Sequence, residues 1–378
     1  MNRDLLWQAL EAHPTTGWCA PIHVPLPPIP AASRLLWCGI GGSLLPSETL
    51  VRGLGCEQAQ RAWTPLASPE PLPLELRSDD QAVFVSKSGN TLELWTWISR
   101  LRALPGWSHL ERPPIVITQD DQNPLAKWAR SEDYPILPIP VNVGGRYSAF
   151  TPVGTLPLSW MGRDASAFLE GGRAVVKELK GNTGPWNDRI WNMVETLHDG
   201  YLKGITEWVL IPYSLRLETL TAWWVQLVAE SLGKIAKDGT RRGVTPIRSV
   251  GPIDQHSQLQ RWMAGPRNLG VIVLTVDEPT QPETLQVPPG CPYPKLAELQ
   301  GSQILQAQAE GTMEALQGAG VPVAHWQLPA VSEAMLGEFM MAWQLIVGLT
   351  GFAMELDPFD QPAVEDGKKR TFKKLGLA

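Results

Sequence analysis

A chain of 378 residues is longer than one hydrophobic core usually serves, so its length predicts two domains. Hydrophobic residues make up 43% of the chain and charged residues 19%, which is typical of a globular protein with a sizeable core. The net charge of -6, with both signs spread along the sequence, argues against a nucleic-acid surface and against a polybasic membrane contact. Any anionic ligand is therefore expected to be held by a local group of residues.

The sequence predicts neither a targeting segment nor a membrane span. The start, MNRDLLWQALEAHP, carries acidic residues inside its apolar pattern, and no uninterrupted apolar run approaches membrane-spanning length. The cysteines form no CxxC pair and have no histidine at metal-ligand spacing, so reduced thiols and no metal site are expected. These cysteines are Cys19, Cys38, Cys56 and Cys291. Together these features predict a cytoplasmic protein.

Short β-rich runs alternate with helical patterns in the first half of the chain. RLLWCGI (34–40) is typical of a strand that enters a glycine turn and then a helix. AVFVSKSGN (82–90) repeats this plan with TLELWTWISRLRAL as its helix, and PIVITQD and YPILPIP continue the alternation. Such alternation indicates a parallel sheet covered by helices on both faces.

A second series of the same kind follows two helical segments, at about 164–180 and 186–203. It begins with the strand EWVLIPYS and a long helix predicted over 217–239, LETLTAWWVQLVAESLGKIAKDG. The strands NLGVIVLTVDE and VPVAHWQLP then alternate with two further helical patterns. The sequence therefore predicts an α/β protein of two similar halves, with a junction near 165–190.

The first glycine-rich loop follows the strand at 34–40. In GIGGS (39–43) the loop opens a helix, so its amides and the Ser43 hydroxyl are candidates to face an anion or a sugar hydroxyl. No third glycine follows at the spacing of the dinucleotide fingerprint. The loop is therefore a candidate ligand contact without a nucleotide signature.

The second loop, SKSGNT (86–91), has a more specific pattern. Ser86, Ser88 and Thr91 lie where a strand passes into a helix N-terminus, so their hydroxyls and the local amides can converge on one phosphate. The alternative is an ordinary capped turn, in which Ser88 or Asn90 satisfies the first helical amides.

Three further clusters carry possible chemistry. Arg146 directly follows two glycines in VGGRYS, where it is either a projecting guanidinium or part of a surface ion pair. Glu230 lies on the apolar face of a helix end, where desolvation would suit a general base, unless it simply pairs with Lys234. His256 stands beside Asp254 at a turn, and the alternative there is a helix cap with an exposed histidine.

The C-terminal stretch DPFDQPAVEDGKKR (357–370) combines an acidic turn with a basic helix. Pro362 is suited to the first turn of a helix, and acids before lysines suit the helix dipole. A plain terminal helix would account for this much. Gln361 in the turn and Lys368 at helical spacing are the residues that such a helix does not require.

These stretches together carry a resemblance to a known family. GIGGS, SKSGNT, VGGRYSAFTPVG, ESLGK, DQHSQLQ and DPFDQPAVEDGKK resemble, in order and in approximate separation, the motifs of phosphoglucose isomerase, also called glucose-6-phosphate isomerase. The resemblance runs from about Leu35 to Lys369, and the GGRYS and tail motifs are highly specific. The fold it implies is a pair of sugar-isomerase (SIS) domains, each a flavodoxin-like parallel sheet flanked by helices.

The resemblance implies a division of the chain. The expected parts are an N-terminal helix with a Pro-rich segment (1–30), a first SIS domain (31–180), a second SIS domain (181–352) and a tail that closes over the active site (353–378).

The resemblance also implies catalytic roles. Glu230 would be the base that moves a proton between two adjacent carbons, and Arg146 would stabilise the enediolate charge that develops. His256, assisted by Lys368, would open the sugar ring. The reaction implied is the reversible conversion of glucose 6-phosphate to fructose 6-phosphate, a step of glycolysis and gluconeogenesis, with no cofactor and no metal.

Substrate contacts follow from the same resemblance. Ser86, Ser88 and Thr91 would hold the phosphate, with Lys87 contributing chiefly through its backbone. The other implied contacts are Gly42, Ser43, Gly145 and Gln361. The family also implies a homodimer in which His256 reaches the neighbouring subunit's site.

Two positions depart from the family pattern. Ala363 stands where glycine is usual and Asn90 where threonine is common, which affects the tail turn and the detail of phosphate binding. Two alternatives stay open: a dual phosphoglucose and phosphomannose isomerase, and a non-catalytic sugar-phosphate-binding regulator. The intact GGRYS and DQPAVE stretches favour an isomerase specific for glucose 6-phosphate. A regulator would need only the phosphate loop, which is the loop 86–91.

Overall fold

The computed structural model describes residues 1–27, 34–55, 62–278 and 283–377. Two parallel sheets with a layer of helices between them form its centre. Within the described part, the free thiols are Cys19, Cys38 and Cys291. Cys56 lies outside the described residues.

The first sheet is parallel throughout, with the strand order β2-β1-β3-β4-β5. Its strands are β1 (Arg34–Cys38), β2 (Ala62–Leu66), β3 (Gln81–Val85), β4 (Ile115–Thr118) and β5 (Ile136–Pro138). The central strand β3 is buried along its whole length, as expected for a sheet covered on both faces. Helices α3 (Leu92–Ala103) and α4 (Pro124–Ser131) pack on one face of this sheet.

The second sheet repeats this topology with four parallel strands in the order β11-β10-β6-β9. The strands are β6 (Glu207–Pro212), β9 (Thr245–Arg248), β10 (Leu269–Val276) and β11 (Val323–Leu328). Helices α9 (Leu259–Ala264) and α10 (Gly301–Gly318) cover its outer face. In both sheets the second strand lies outside the first and the third lies inside, so the predicted flavodoxin-like α/β class is confirmed.

A layer of helices between the sheets holds the largest hydrophobic core. Its helices are α2 (Leu45–Gly53), α5 (Pro152–Trp160), α6 (Ala165–Lys180), α7 (Gly184–Leu202), α8 (Glu218–Leu232) and α11 (Glu333–Ala353). In the described part of the chain, α11 alone is long and apolar enough to cross a membrane, but 83% of its most apolar window is buried inside the protein. It is therefore placed as the central core helix.

The two terminal helices differ in their packing. Helix α1 (Arg3–Ala12) lies against α11 and buries Leu10 completely. Helix α12 (Val364–Leu375) has no buried residue.

The predicted helix over 217–239 was wrong at its C-terminal end. Helix α8 ends at Leu232, and the chain then forms an antiparallel hairpin of β7 (Lys234–Ile235) and β8 (Arg241–Arg242). Gly233 lies so close to Gly243 that a Cβ on Gly243 would be 2.8 Å from the Cα of Gly233. This close backbone approach, which helical periodicity does not reveal, turns the chain away from the helix axis.

Candidate active site

The loops after β1 and β3 lie side by side, because these strands are neighbours and parallel. The turn Gly41–Ser43 that follows β1 packs against a second turn, Gly145–Phe150. A Cβ on Gly42 would lie 2.2 Å from the carbonyl oxygen of Gly145, so no side chain fits there. Ser148 Oγ donates to the carbonyl of Gly42 at 2.9 Å. The two glycine-containing motifs therefore meet, and they place Arg146 beside the first loop.

Arg146 is buried, and every N–H group of its guanidinium has an acceptor. Arginine has five such donors in a planar fork, so full occupation fixes the orientation of the group. The acceptors are Ser231 Oγ at 2.7 Å, Glu230 Oε2 at 3.4 Å, Gln361 Oε1 at 3.0 Å, the carbonyl of Pro358 at 2.5 Å and that of Asp360 at 3.0 Å. The surface ion-pair alternative for Arg146 is thereby wrong, since its side chain is only 3% exposed.

Glu230, near the C-terminal end of α8, faces Arg146 with one oxygen and Gln226 with the other. Gln226 Nε2 donates to Glu230 Oε1 at 3.1 Å. The side chain of Glu230 is 31% exposed, so the prediction of an apolar, desolvated environment was wrong. The alternative ion pair with Lys234 is also absent from the described contacts, because the helix ends before Lys234 and that residue binds Asp360 instead.

The tail turn, residues 357–361, brings Gln361 and two backbone carbonyls onto Arg146. An aromatic cluster anchors it: the Phe359 ring lies 4.6 Å from His13 and 5.2 Å from Tyr147 between ring centroids. Phe352 lies 5.9 Å away on another side of the same ring. The N-terminal segment thus helps to hold the tail over the site.

Tyr147 joins the aromatic cluster to the hydrogen-bonded group around Arg146. Burial raises the pKa of Tyr147 to about 12, so its hydroxyl is neutral at physiological pH. That hydroxyl lies 3.1 Å from Ser231 Oγ, the same atom that accepts from Arg146 Nε.

The loop 86–91 after β3 is closed on itself by hydroxyl contacts. Ser86 Oγ lies 2.8 Å from Thr91 Oγ1 and accepts from the Gly89 amide at 3.1 Å. Gly89 has a φ of +69° and packs on Asn123, which favours glycine there. Thr91 is the N-cap of α3, and no side chain caps this helix among the described residues. The capped-turn alternative was therefore wrong, and the first amides of α3 remain available to an anion.

Lys87 and Ser88 differ in their surroundings within this loop. Lys87 Nζ donates to the carbonyl of Val141 at 3.1 Å, and burial lowers the pKa of Lys87. Its ammonium is thus directed towards the chain segment before the Arg146 turn. Ser88 is exposed, and its hydroxyl accepts from the Asn90 amide at 3.4 Å.

The side chains of His256 and Lys368 do not contact the group around Arg146 and Glu230 in the described part of the chain. His256 is exposed at the end of the turn Ile253–His256, and its side chain makes no hydrogen bond, ion pair or ring contact with the part of the chain that is described. Burial opposes the charge of Asp254, but hydrogen bonds from Ser257 and the Val250 amide hold its pKa below the usual value. Asp254 therefore shapes the turn and does not cap a helix.

Lys368 forms an ion pair with Glu365 at 2.8 Å on α12. Both side chains are more than half exposed. Like His256, Lys368 makes no contact with Arg146 or Glu230 in the described structure.

Several contributors to the cluster were missed from the sequence. Ser231 follows Glu230 in the chain but has no motif of its own, and the Pro358 and Asp360 contacts are made by backbone carbonyls. Gln226 lies four residues before Glu230 and was the one detectable signal, since that spacing puts both side chains on one helix face.

The chain is similar in sequence to glucose-6-phosphate isomerases. It is 34% identical over 353 residues to a glucose-6-phosphate isomerase of Thermus thermophilus, covering 89% of this chain and 82% of that protein. It is 35% identical over 303 residues to a glucose-6-phosphate isomerase of Rubrobacter xylanophilus, covering 77% and 68%. A probable glucose-6-phosphate isomerase of Haloarcula marismortui is 32% identical over 361 residues, covering 93% and 80%. No protein-family model matches the chain.

Two solved structures share the fold of this chain. A hypothetical protein from Thermus thermophilus is 31% identical, with a TM-score of 0.81 over 99% of this chain and 87% of that one. A glucose-6-phosphate isomerase from Chlamydia trachomatis shares the fold at a TM-score of 0.72 and 21% identity, over 99% and 73% of the two chains. The identity and coverage of the curated relatives establish the relationship: the chain belongs to the glucose-6-phosphate isomerase family.

Proposed function

We propose that this protein is an aldose–ketose isomerase that interconverts glucose 6-phosphate and fructose 6-phosphate. The observation that carries the proposal is the pair of Glu230 and Arg146, a partly exposed carboxylate 3.4 Å from a buried, fully hydrogen-bonded guanidinium. Aldose–ketose conversion requires one carboxylate to act as base and then acid, and one fixed cation near the developing oxyanion. The pair supplies both.

Glu230 is the proton carrier in this mechanism. It takes the proton from one of the two adjacent carbons of the open-chain sugar and returns it to the other, so it acts first as base and then as acid. Two features of its position support this role: its remaining exposure leaves it accessible to a ligand, and Gln226 and Arg146 fix its two oxygens.

Arg146 stabilises the enediolate formed between the two proton transfers. A fixed guanidinium is effective because it does not need to reorganise as negative charge develops. Its longest hydrogen bond, 3.4 Å, is the one to Glu230. A substrate oxygen would therefore bind Arg146 most easily at Nη1, because the hydrogen bond from Nη1 to Glu230 is the longest of the five.

The loop 86–91 holds the phosphate through Ser86, Ser88 and Thr91, with the uncapped amides at the start of α3 as further donors. Lys87 contributes through its backbone. Gly42, Ser43 and Gly145 contact the sugar from the two packed turns, and Gln361 contacts it from the tail turn.

His256, assisted by Lys368, opens the sugar ring at the active site of a neighbouring subunit in a homodimer. The exposed position of His256 and its separation from the cluster within the described chain support this arrangement. The domain bounds 1–30, 31–180, 181–352 and 353–378 are supported by the presence of one complete parallel sheet within each SIS domain. A cytoplasmic location belongs to the same proposal.

A coupled assay for fructose 6-phosphate formation tests the function, with mannose 6-phosphate assayed in parallel. We expect rapid turnover of glucose 6-phosphate and little turnover of mannose 6-phosphate. Comparable turnover of both sugars would identify a dual isomerase. Saturable binding of glucose 6-phosphate without turnover would overturn the enzymatic assignment and identify a regulator.

A further inference from the structure

Lys234 is a half-buried residue whose ammonium has, in the described part of the chain, only the tail turn as a polar partner. Its side chain is 8% exposed, and Nζ lies 2.5 Å from Asp360 Oδ1. Nζ also donates to the backbone carbonyl of Asp360. The two residues are 126 positions apart in the chain, so this contact joins the hairpin after α8 to the tail.

The carbonyl of Asp360 is shared between two cations. Arg146 Nη2 donates to it at 3.0 Å, and Lys234 Nζ donates to the same oxygen. A carbonyl oxygen has two lone pairs, so both donors can be accommodated, and the position of one constrains the other. Lys234 therefore fixes an atom that in turn fixes the plane of the Arg146 guanidinium.

This arrangement is costly, which argues against a role in stability alone. Burial lowers the pKa of Lys234, Asp360 opposes that shift and the charge of Arg146 adds to it. The Lys234 side chain is enclosed whereas that of Asp360 is 51% exposed, and the desolvation of the lysine offsets part of the attraction between the two charges. Two cations placed beside one carbonyl oxygen are better explained by a requirement for geometry.

We infer that Lys234 is a positioning residue for the reaction: by holding the Asp360 carbonyl, it orients Arg146 so that Nη1 faces Glu230. The inference rests on the proposed isomerase function, and it extends that function to a residue outside the implied site. Lys234 touches neither Glu230 nor the phosphate loop in the described structure, so its effect passes through Arg146.

The test is Lys234→Met, which keeps an unbranched side chain one atom shorter than lysine and removes its charge. The matched control is Lys237→Met, an exposed lysine in the same hairpin. We expect Lys234→Met to lower kcat by about 10- to 100-fold, as misplacement of a catalytic group by about 1 Å does. KM and the inhibition constant of inorganic phosphate should change by less than about threefold, because the phosphate loop is untouched.

A double-mutant cycle with Arg146→Lys separates positioning from a general structural effect. If Lys234 acts through Arg146, Lys234→Met should cost less than about threefold in kcat when Arg146 is already lysine. Should Lys234→Met fail to fold, Lys234→Gln takes its place in the same cycle, since it also removes the ammonium that holds the Asp360 carbonyl.

Three results overturn the inference. The first is a Lys234→Met enzyme no slower than the Lys237→Met control. The second is a loss of kcat from Lys234→Met that is as large in the Arg146→Lys background as in the wild type. The third is an effect of Lys234→Met on KM alone. If the wild-type protein does not isomerise glucose 6-phosphate, the proposed function fails and the inference fails with it. If the wild type is active and the cycle is additive, only the inference fails.

Discussion

The guanidinium of Arg146 lies 3.4 Å from the carboxylate of Glu230, and the two side chains differ sharply in exposure, at 3% and 31%. The cation is enclosed and hydrogen-bonded at every N–H group, whereas the carboxylate remains open to a ligand. This asymmetry suits a reaction in which the charge must stay in place while the acid–base group exchanges protons with substrate.

The phosphate loop should control substrate binding and leave the chemical step largely intact. Replacing Ser86, Ser88 and Thr91 by alanine is expected to raise KM for glucose 6-phosphate by about 10- to 100-fold, because hydrogen bonds to a charged group are lost from a part of the substrate that does not react. Steady-state kinetics measures this, with Ser99→Ala on the outer surface of α3 as the control. Equal inhibition of the triple variant and wild type by inorganic phosphate would place the phosphate elsewhere.

Arg146 should not tolerate a change that keeps only its charge. Arg146→Lys is expected to lower kcat by about 10- to 1,000-fold, because lysine lacks the planar fork that binds the tail carbonyls, Ser231 and Glu230 at once. Thermal melting and kcat measured on the same samples separate misfolding from lost catalysis. Arg102→Lys, in a surface ion pair with Glu132, is the control. Near-normal kcat in Arg146→Lys would argue against the enediolate role.

The charge of Lys234 should set a limit to activity at alkaline pH. Burial lowers its pKa below the ordinary value of 10.5, so Lys234 loses its proton before an exposed lysine would. We expect kcat to fall as the pH rises through the lowered value, because the ion pair with Asp360 is lost. Lys234→Arg should move this fall to higher pH, since a guanidinium stays protonated.

Deprotonation of Lys234 should lower kcat but raise the free energy of unfolding. The unfolded chain binds the lysine proton more tightly than the folded one, so the free energy of unfolding from this group rises with pH between the folded and unfolded pKa values. The fall in kcat should therefore precede any loss of folded protein, as measured by circular dichroism at each pH. A fall that coincides with unfolding, or that Lys234→Arg leaves in place, would contradict this explanation.

Part of the candidate site can be predicted from the sequence because its motifs are local. Ser86, Ser88 and Thr91 lie within one turn after a strand, and the strand–helix alternation around them specifies the carboxyl edge of a parallel sheet. The same locality explains why the α/β class and most helices were predicted correctly. Gln361, in contrast, was linked to the site only by family resemblance.

The remainder depends on contacts between distant parts of the chain. Arg146 and Gln361 are 215 residues apart, and the hydrogen bonds to Pro358 and Asp360 use backbone carbonyls, which any residue type provides. The exposure of Glu230 was mispredicted because helical periodicity does not report where α8 ends. Strands β2 and β9 were missed because each is short, contains a proline and lies at a sheet edge.

The shared-site proposal predicts complementation between two inactive subunits. A Glu230→Gln subunit mixed with a His256→Ala subunit under conditions of dimer exchange should recover about a quarter of the active sites, since about half of the dimers are mixed and each has one intact site. If His256 acts within its own chain, every site keeps one defect. A mixture no more active than its parents, despite exchange demonstrated by differential labelling, would refute the shared site.

Proton NMR in D2O shows whether Glu230 carries the proton between the two carbons of the sugar. Wild-type protein should exchange the carbon-bound proton of glucose 6-phosphate for deuterium while fructose 6-phosphate forms. Glu230→Gln should bind the sugar phosphate with similar affinity but slow both exchange and isomerisation by about 100- to 10,000-fold, as expected when a general base is removed. The control is Glu170→Gln, a side chain that is 66% exposed on the protein surface. An exchange rate in Glu230→Gln within about tenfold of the wild-type rate would contradict the role of Glu230 in proton transfer.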